Sequence, residues 1–186
     1  RHTNSSSDTE MLLNVLATEI QSINFGTSLS PEHIFDAVKS LHQRVEGSYA
    51  AIALISGYGL LAFRDPFGIR PLVLGERIIE NGKKEWILAS ESLVLENNDF
   101  DLVRDVLPGE AIFISSDGKL YSEQCSNNPQ LFPCSFEYVY LARPDSIMNG
   151  ISVYEARLKM GDFLAETIKK QISLGDIDVV MPIPDS

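Results

Sequence analysis

Asp8 is the first residue along the chain whose type and position could do chemistry. Ser7 and Glu10 have the spacing of a capping box, which predicts that a helix begins here. A carboxylate in the first turn of a helix usually interacts with the helix dipole and the free backbone N–H groups, and residue type alone favours that role. The same carboxylate could instead hold the ammonium group of a ligand such as an amino acid.

The segment 64–72, Arg-Asp-Pro-Phe-Gly-Ile-Arg-Pro-Leu, places charged residues, two prolines and a glycine between two apolar runs. Prolines cannot donate backbone hydrogen bonds and they restrict the chain, so this composition predicts a rigid polar connection. A simple hairpin would need only a short turn. From spacing alone we expect a structural loop held by an Arg–Asp pair.

Three aromatic residues alternate in the segment 136–146, at Phe136, Tyr138 and Tyr140. On a strand all three would face one side. Aromatic residues at this spacing are usually part of a core. The alternative is an apolar wall that shields a reactive intermediate from water.

Composition excludes several classes of function. A net charge of −11 disfavours nucleic acid and anionic membranes as partners. No run has the length and apolarity of a membrane span or a signal peptide. Three scattered histidines and two cysteines, Cys125 and Cys134, lack the spacing of a zinc site. So few cysteines also fit a reducing cytoplasm better than a disulfide scaffold.

The elements that must position these residues follow from hydrophobic periodicity. Helices are predicted from Asp8 and from Pro31, the second ending at Gly47. Short apolar runs bounded by turns then predict strands, and Asp117-Gly118 predicts a hairpin. These runs are 49–55, 59–63, 72–74, 86–89, 110–114 and 120–123. A polar linker at 126–133, a helix over 151–172 and a buried strand at 177–182 complete the prediction.

Six strings, in this order and spacing, carry a resemblance to a known family. They are Ser-Asp-Thr-Glu (7–10), the segment 64–72, Ala-Ser-Glu-Ser (89–92), Leu-Pro-Gly-Glu (107–110), Phe-Glu-Tyr-Val-Tyr-Leu-Ala-Arg-Pro-Asp-Ser (136–146) and Pro-Ile-Pro-Asp-Ser (182–186). Together they resemble the glutamine phosphoribosylpyrophosphate amidotransferase family, in a bacterial version. The first three strings also occur in other class-II glutamine amidotransferases, whereas the string at 136–146 is specific to this family.

The resemblance implies an α+β fold, part of an Ntn-hydrolase αββα sandwich followed by the first helix and strand of an α/β phosphoribosyltransferase domain. The expected divisions are 1–125 for the amidotransferase part, 126–150 for the linker and interdomain segment, and 151–186 for the start of the transferase. Such enzymes take ammonia from glutamine and transfer it to 5-phosphoribosyl 1-pyrophosphate, the committed step of purine synthesis. Purine nucleotides inhibit them, and they are cytoplasmic homo-oligomers.

The resemblance also assigns roles to residues. Asp8 matches the residue that binds the glutamine α-amino group, which reverses the preference stated above. Phe136 and Tyr140 match residues that line the ammonia route. Ser186 matches a contact of the Mg²⁺ that accompanies the phosphoribosyl substrate. Cys134 matches an iron–sulfur ligand of some members, but we expect no cluster, because clusterless members also keep a cysteine there.

Both ends of the chain have the character of an internal segment. We expect the nucleophilic cysteine of the family to precede Arg1, so the 186 residues alone should be inactive and poorly soluble. Two alternatives stay open. One is another class-II amidotransferase resembling asparagine synthetase, which shares the Arg-Asp-Pro loop. The other is a non-catalytic module on the same fold.

Overall fold

The structure is a computed structural model that describes residues 5–23, 28–80, 82–172, 175 and 177–183. The helices are α1 (Asp8–Ile23), α2 (Pro31–Arg44), α3 (Ser92–Glu96) and α4 (Val153–Gln171). The strands are β1 (Ala50–Ile55), β2 (Gly59–Arg64), β3 (Val73–Ile78), β4 (Lys84–Ala89), β5 (Asp101–Asp105), β6 (Glu110–Ser115), β7 (Leu120–Gln124), β8 (Ile147–Met148) and β9 (Ile151–Ser152). A π-helical turn, Glu137–Leu141, precedes β8.

The two N-terminal helices begin where the sequence predicts. At the start of α2, the Ser30 hydroxyl accepts a hydrogen bond from the backbone N–H of His33, and the His33 ring accepts one from the backbone N–H of Ser30. This reciprocal cap, followed by Pro31 at the first helical position, explains the sharp start. The helix ends at Arg44, three residues earlier than the predicted end at Gly47.

The strands form two antiparallel sheets. The larger has the order β1-β2-β6-β7, and the smaller has the order β4-β3-β5. The predicted hairpin at Asp117-Gly118 is confirmed, since Ile114 pairs with Leu120 and Gly118 has a φ of 84°. Strand alternation sends Leu61 and Phe63 to the face beneath α2, and Ala62 to the opposite face.

The layers follow the order helix, sheet, sheet, helix. The core beneath the first helical layer contains Phe35, Leu41 and Phe113. Between the sheets, Ile112 of the larger sheet belongs to the same cluster as Leu74 of the smaller one. The single turn of α3 packs on the outer face of the smaller sheet through Leu95. The αββα order that the resemblance implies is therefore present, with a thin fourth layer.

After the linker, α4 forms as predicted, and the π-helical turn, β8, β9 and α4 enclose a small core of Tyr138, Ala142, Met148 and Val153. The strand predicted at 177–182 is absent: the described residues 177–183 have no regular structure. A strand needs a hydrogen-bonded neighbour, and no strand among the described residues pairs with this run. The proposed domain divisions stay a prediction.

Candidate functional site

Asp8 lies at the rim of an open cleft of about 1010 Å³. The cleft is lined by the first turns of α1, by residues 44–52 that lead into β1, by Arg70 and Pro71, and by Ser90. Asp8 is exposed and is the first residue of α1. The structure thus brings together three of the family-like strings, 7–10, 64–72 and 89–92, around a single cavity.

The loop between β2 and β3 is held from within by Arg64, which is almost fully buried. Its Nε donates to the carbonyl of Arg70, one Nη to that of Val106 and the other to that of Gly68, each at 2.7 Å. Burial lowers the pKa of the Arg64 guanidinium, and the nearby carboxylates Asp105 and Asp65 oppose that shift.

Asp65 stabilises the same loop through backbone N–H groups. One carboxylate oxygen accepts from the N–H of Phe67 at 2.9 Å, and the other accepts from the N–H of Ile69 at 3.0 Å. The expected Arg–Asp pair is wrong: within the described residues, neither the Arg64 nor the Arg70 side chain forms an ion pair with Asp65. Arg64 and Asp65 instead satisfy buried main-chain groups of opposite polarity, which is the stronger way to fix a loop rich in proline.

The predicted linker runs alongside this loop. The N–H groups of Gln130, Phe132 and Cys134 donate to the carbonyls of Pro66, Phe67 and Ile69 at 3.0, 2.8 and 3.1 Å. These bonds carry the chain from the αββα layers directly to the π-helical turn.

An ion pair continues the connection. Arg70 Nη1 lies 2.9 Å from Glu137 Oε1, and the Glu137 side chain is only 7% exposed. Among the described residues, no donor makes a hydrogen bond of normal geometry to the buried Oε1, so charge attraction at short range binds it to Arg70. Because Arg70 also lines the cleft that contains Asp8, this pair joins the cleft to the segment 136–146.

Phe136 and Tyr140 lie at the surface, 56% and 61% exposed, with ring centroids 5.8 Å apart. Tyr138 is buried, and its hydroxyl donates to the carbonyl of Met148 at 3.2 Å. The expectation that the three aromatics share a face is wrong, because the segment forms a π-helical turn and not a strand. The turn separates Tyr138 from the other two rings and leaves them together.

Two further elements hold this turn and the residues after it. Arg157 of α4 donates to the carbonyls of Tyr138 and Ala142 at 2.8 and 2.6 Å, which satisfies acceptors at the end of the turn. The Glu91 carboxylate accepts from the N–H of Arg143 and from the Ser146 hydroxyl, at 2.9 and 2.8 Å. The string 89–92 thus anchors the string 136–146.

His42 and Tyr49 connect α2 to the floor of the cleft. The His42 Nδ1 lies 2.8 Å from the Tyr49 hydroxyl, and the backbone N–H of Tyr49 donates to Asp65. Burial lowers the pKa of His42 to about 4, so the ring is neutral at physiological pH. Burial likewise raises the pKa of Tyr49.

The remaining predicted site residues are less informative. Ser186 lies outside the described residues. Cys134 is half-buried beside the loop, and burial raises the pKa of the Cys125 thiol to about 12, so that thiol is unreactive at neutral pH. Among the described residues, no group of three or more histidine, cysteine or acidic side chains could hold a metal ion. None of the described helices is both long enough and apolar enough to span a bilayer.

The resemblance predicts roles for Asp8 and the two surface aromatics, and these stay predictions; sequence reasoning missed Arg70, Glu137 and Glu91 as parts of one assembly. The strings contained these charges, but nothing in their spacing shows that residues 52 or more positions apart meet. Only the strand order that places the loop 64–72 beside the linker reveals it.

Comparison with known proteins finds curated relatives of the family that the six strings resemble. No family model matches the chain. A curated relative from Pasteurella multocida, named amidophosphoribosyltransferase, is 52% identical over 187 residues, which cover all of this chain and 37% of the relative. The chain thus spans little more than a third of the length of the curated relatives it matches.

Two solved structures show the same fold. A glutamine phosphoribosylpyrophosphate amidotransferase from B. subtilis, complexed with ADP and GMP, aligns with a TM-score of 0.72 at 31% identity, covering 89% of this chain and 33% of that one. A structure described as the allosteric regulatory enzyme of purine biosynthesis aligns with a TM-score of 0.78 at 31% identity, covering all of this chain and 35% of that one.

Proposed function

Since this chain belongs to the amidophosphoribosyltransferase family, we propose that it forms part of an enzyme that transfers ammonia from glutamine to 5-phosphoribosyl 1-pyrophosphate, giving 5-phosphoribosylamine. The observation that carries the proposal is the 52% identity to a curated amidophosphoribosyltransferase over the whole chain. The product would enter purine synthesis.

Asp8 suits the binding of the glutamine α-amino group. The carboxylate is exposed at the rim of the cleft, and its place at the start of α1 fixes its direction. An ammonium–carboxylate hydrogen bond is charge-assisted, and so is stronger than a neutral one. Neither cysteine of the chain lines this cleft. We therefore propose that residues outside this chain contribute the nucleophile that attacks the glutamine amide.

Phe136 and Tyr140 suit the wall of the route that ammonia follows to the phosphoribosyl substrate. Ammonia is a nucleophile only while it is unprotonated, and contact with water at neutral pH protonates it. An apolar wall excludes that water. The two rings are adjacent and exposed here, so they are available to face another part of the protein.

Several further features of the family extend the proposal. Mg²⁺ would accompany the phosphoribosyl substrate, with Ser186 as a contact. Purine nucleotides would act as feedback inhibitors, which the ADP and GMP bound to the B. subtilis relative support. We also propose a homo-oligomer in the cytoplasm, without an iron–sulfur cluster at Cys134.

The test uses the full-length protein that contains this chain. Purified enzyme should consume phosphoribosyl pyrophosphate with either glutamine or ammonia as nitrogen source. Asp8→Asn should raise the KM for glutamine about tenfold, because one charge-assisted contact is lost. The ammonia-dependent rate of the same variant serves as the reference, because that reaction bypasses the cleft.

Asp117→Asn is the matched control, since it changes an exposed carboxylate in the hairpin between β6 and β7, which does not line the cleft. Its glutamine KM should equal that of the wild type. An unchanged KM in the Asp8 variant would remove the role of Asp8, and an enzyme without either activity would favour a non-catalytic module. A reaction that consumed ATP and aspartate would favour the asparagine-synthetase-like alternative.

A further inference from the structure

We propose that the ion pair between Arg70 and Glu137 is a positioning link, which keeps the ammonia-route residues Phe136 and Tyr140 in register with the glutamine cleft at Asp8. This inference rests on the proposed function, because it takes the cleft and the route from it. It adds two residues to which neither the resemblance nor the comparisons assign a role.

The backbone of Arg70 is fixed. Its carbonyl accepts the 2.7 Å hydrogen bond from the buried Arg64, and the neighbouring N–H of Ile69 is bound by the Asp65 carboxylate. Pro71 follows and restricts the chain further. The side chain of Arg70 therefore starts from a rigid point on the wall of the cleft.

The buried position of the Glu137 carboxylate depends on Arg70. That carboxylate is almost fully buried, and the described ion pair is with Arg70 at 2.9 Å. No other described residue gives the same oxygen a hydrogen bond of normal geometry. A buried carboxylate without its counter-charge is strongly unfavourable, so loss of Arg70 forces Glu137 to move towards solvent.

Glu137 is the first residue of the π-helical turn. Its N–H donates to the carbonyl of Cys134 at 3.1 Å, and its own carbonyl accepts from Ala142 at 2.9 Å, which closes the turn. Phe136 precedes it directly and Tyr140 follows three residues later. A displacement of Glu137 therefore reorients both exposed rings, whereas Tyr138 stays anchored in its own small core.

The consequence is a coupling between hydrolysis and transfer. With the pair intact, ammonia released in the cleft meets a correctly placed wall and reaches the second substrate. With the pair broken, glutamine is still hydrolysed, but part of the ammonia escapes to solvent. The quantity that reports on the link is the amount of phosphoribosylamine formed for each glutamine hydrolysed.

The experiment measures this ratio in the full-length enzyme for Arg70→Met, Arg70→Lys, Glu137→Gln and the double variant Arg70→Met/Glu137→Gln. We expect Arg70→Met to lower the ratio about threefold, the size of effect typical for residues in direct contact. Arg70→Lys keeps the charge and should recover most of the ratio. The double variant removes the uncompensated carboxylate, so its ratio should be higher than that of Arg70→Met.

The matched control is Arg77→Met, because Arg77 has a similarly exposed side chain and also pairs with a glutamate, Glu85, but lies on the smaller sheet away from the turn. Its ratio should equal that of the wild type. A purely structural role would lower the melting temperature of the Arg70 variants and leave the ratio unchanged, and that result overturns the link.

The remaining outcomes are decisive as well. If the double variant couples as poorly as Arg70→Met, Arg70 acts without Glu137 and the link is wrong. Should Arg70→Met fail to fold, Glu137→Gln replaces it, because it removes the carboxylate charge from the same pair: its ratio should fall below that of the wild type, and an unchanged ratio overturns the link. A wild-type enzyme that makes no product from glutamine overturns the proposed function and the link together, whereas normal synthesis with an unchanged ratio in every variant overturns the link alone.

Discussion

Replacing the buried Arg64 with methionine should destabilise the loop 64–72 by about 4 kcal/mol. The guanidinium makes three hydrogen bonds of 2.7 Å to main-chain carbonyls. A hydrogen bond to a charged group contributes about 1.5–3 kcal/mol to stability, so a simple sum would exceed this figure. The sum is reduced because methionine keeps the apolar packing of the side-chain stem and removes the cost of burying a charge.

Amide hydrogen exchange of the full-length protein is the suitable assay, because it reports the opening free energy of individual segments. The N–H groups of Phe67 and Ile69 are bound to Asp65 inside the loop. Their protection should fall about a thousandfold in Arg64→Met, since each 1.4 kcal/mol corresponds to a factor of ten. Arg64→Lys retains the charge but cannot reach all three carbonyls, so its loss should be intermediate.

The control for this prediction is Arg77→Met, an exposed arginine on the smaller sheet. Exposed ion pairs contribute at most about 1 kcal/mol, so protection of the loop should not change. If Arg64→Met reduced protection no more than this control does, the loop would owe its order to Asp65 and the prolines, and the reasoning about Arg64 would be refuted.

Two other predictions concern stability. Burial lowers the pKa of His42 from 6.5 to about 4, so the unfolded chain binds a proton that the folded chain does not between these values, and stability falls as the pH decreases through this window. His42→Asn should remove about 2 kcal/mol of this pH dependence of the unfolding free energy, a figure discounted for partial exposure. Denaturant unfolding of both proteins at pH 7 and pH 4.5 measures it, and an equal change in unfolding free energy in the two proteins would contradict the prediction. Gly109→Ala should cost about 3 kcal/mol, because φ is 70° and the new Cβ would clash with the Ser126 Cβ. Gly118→Ala has the same backbone handicap but open space, and should cost about 1 kcal/mol; thermal melting compares the two, and equal losses would show that the contact with Ser126 is unimportant.

The sequence predicts the regular part of this fold well, because local signals decide it. The Ser30-Pro31 helix start and the Asp117-Gly118 hairpin each depend on a few neighbouring residues. It misses β5, whose charged ends at Asp101 and Asp105 hide a short edge strand. It also misses α3, since a five-residue helix gives too few turns for a periodic pattern.

In the candidate site, too, features set by neighbouring residues are predictable from the sequence, and features set by distant contacts are not. The helix start at Asp8 is accessible to sequence reasoning because it is a local feature, whereas the glutamine-binding role of Asp8 comes from the resemblance alone. The roles of Arg64 and Asp65 are not, because their partners are main-chain groups that only the folded loop brings within reach. The aromatic alternation at 136–140 indicates a strand by its period, but a strand needs a neighbour and none among the described residues is available there. A π-helical turn satisfies the backbone locally instead.

The stretch 130–134 has an implication for how this region can vary. Three main-chain hydrogen bonds tie it to the loop 66–69, so it resembles an edge strand without a sheet more than a free tether. Inserting or deleting a single residue would shift that pairing and break several of these hydrogen bonds at once. It would also displace the π-helical turn that follows. We expect the length of this stretch to be far less tolerant of change than the Gly57 or Gly82 turns.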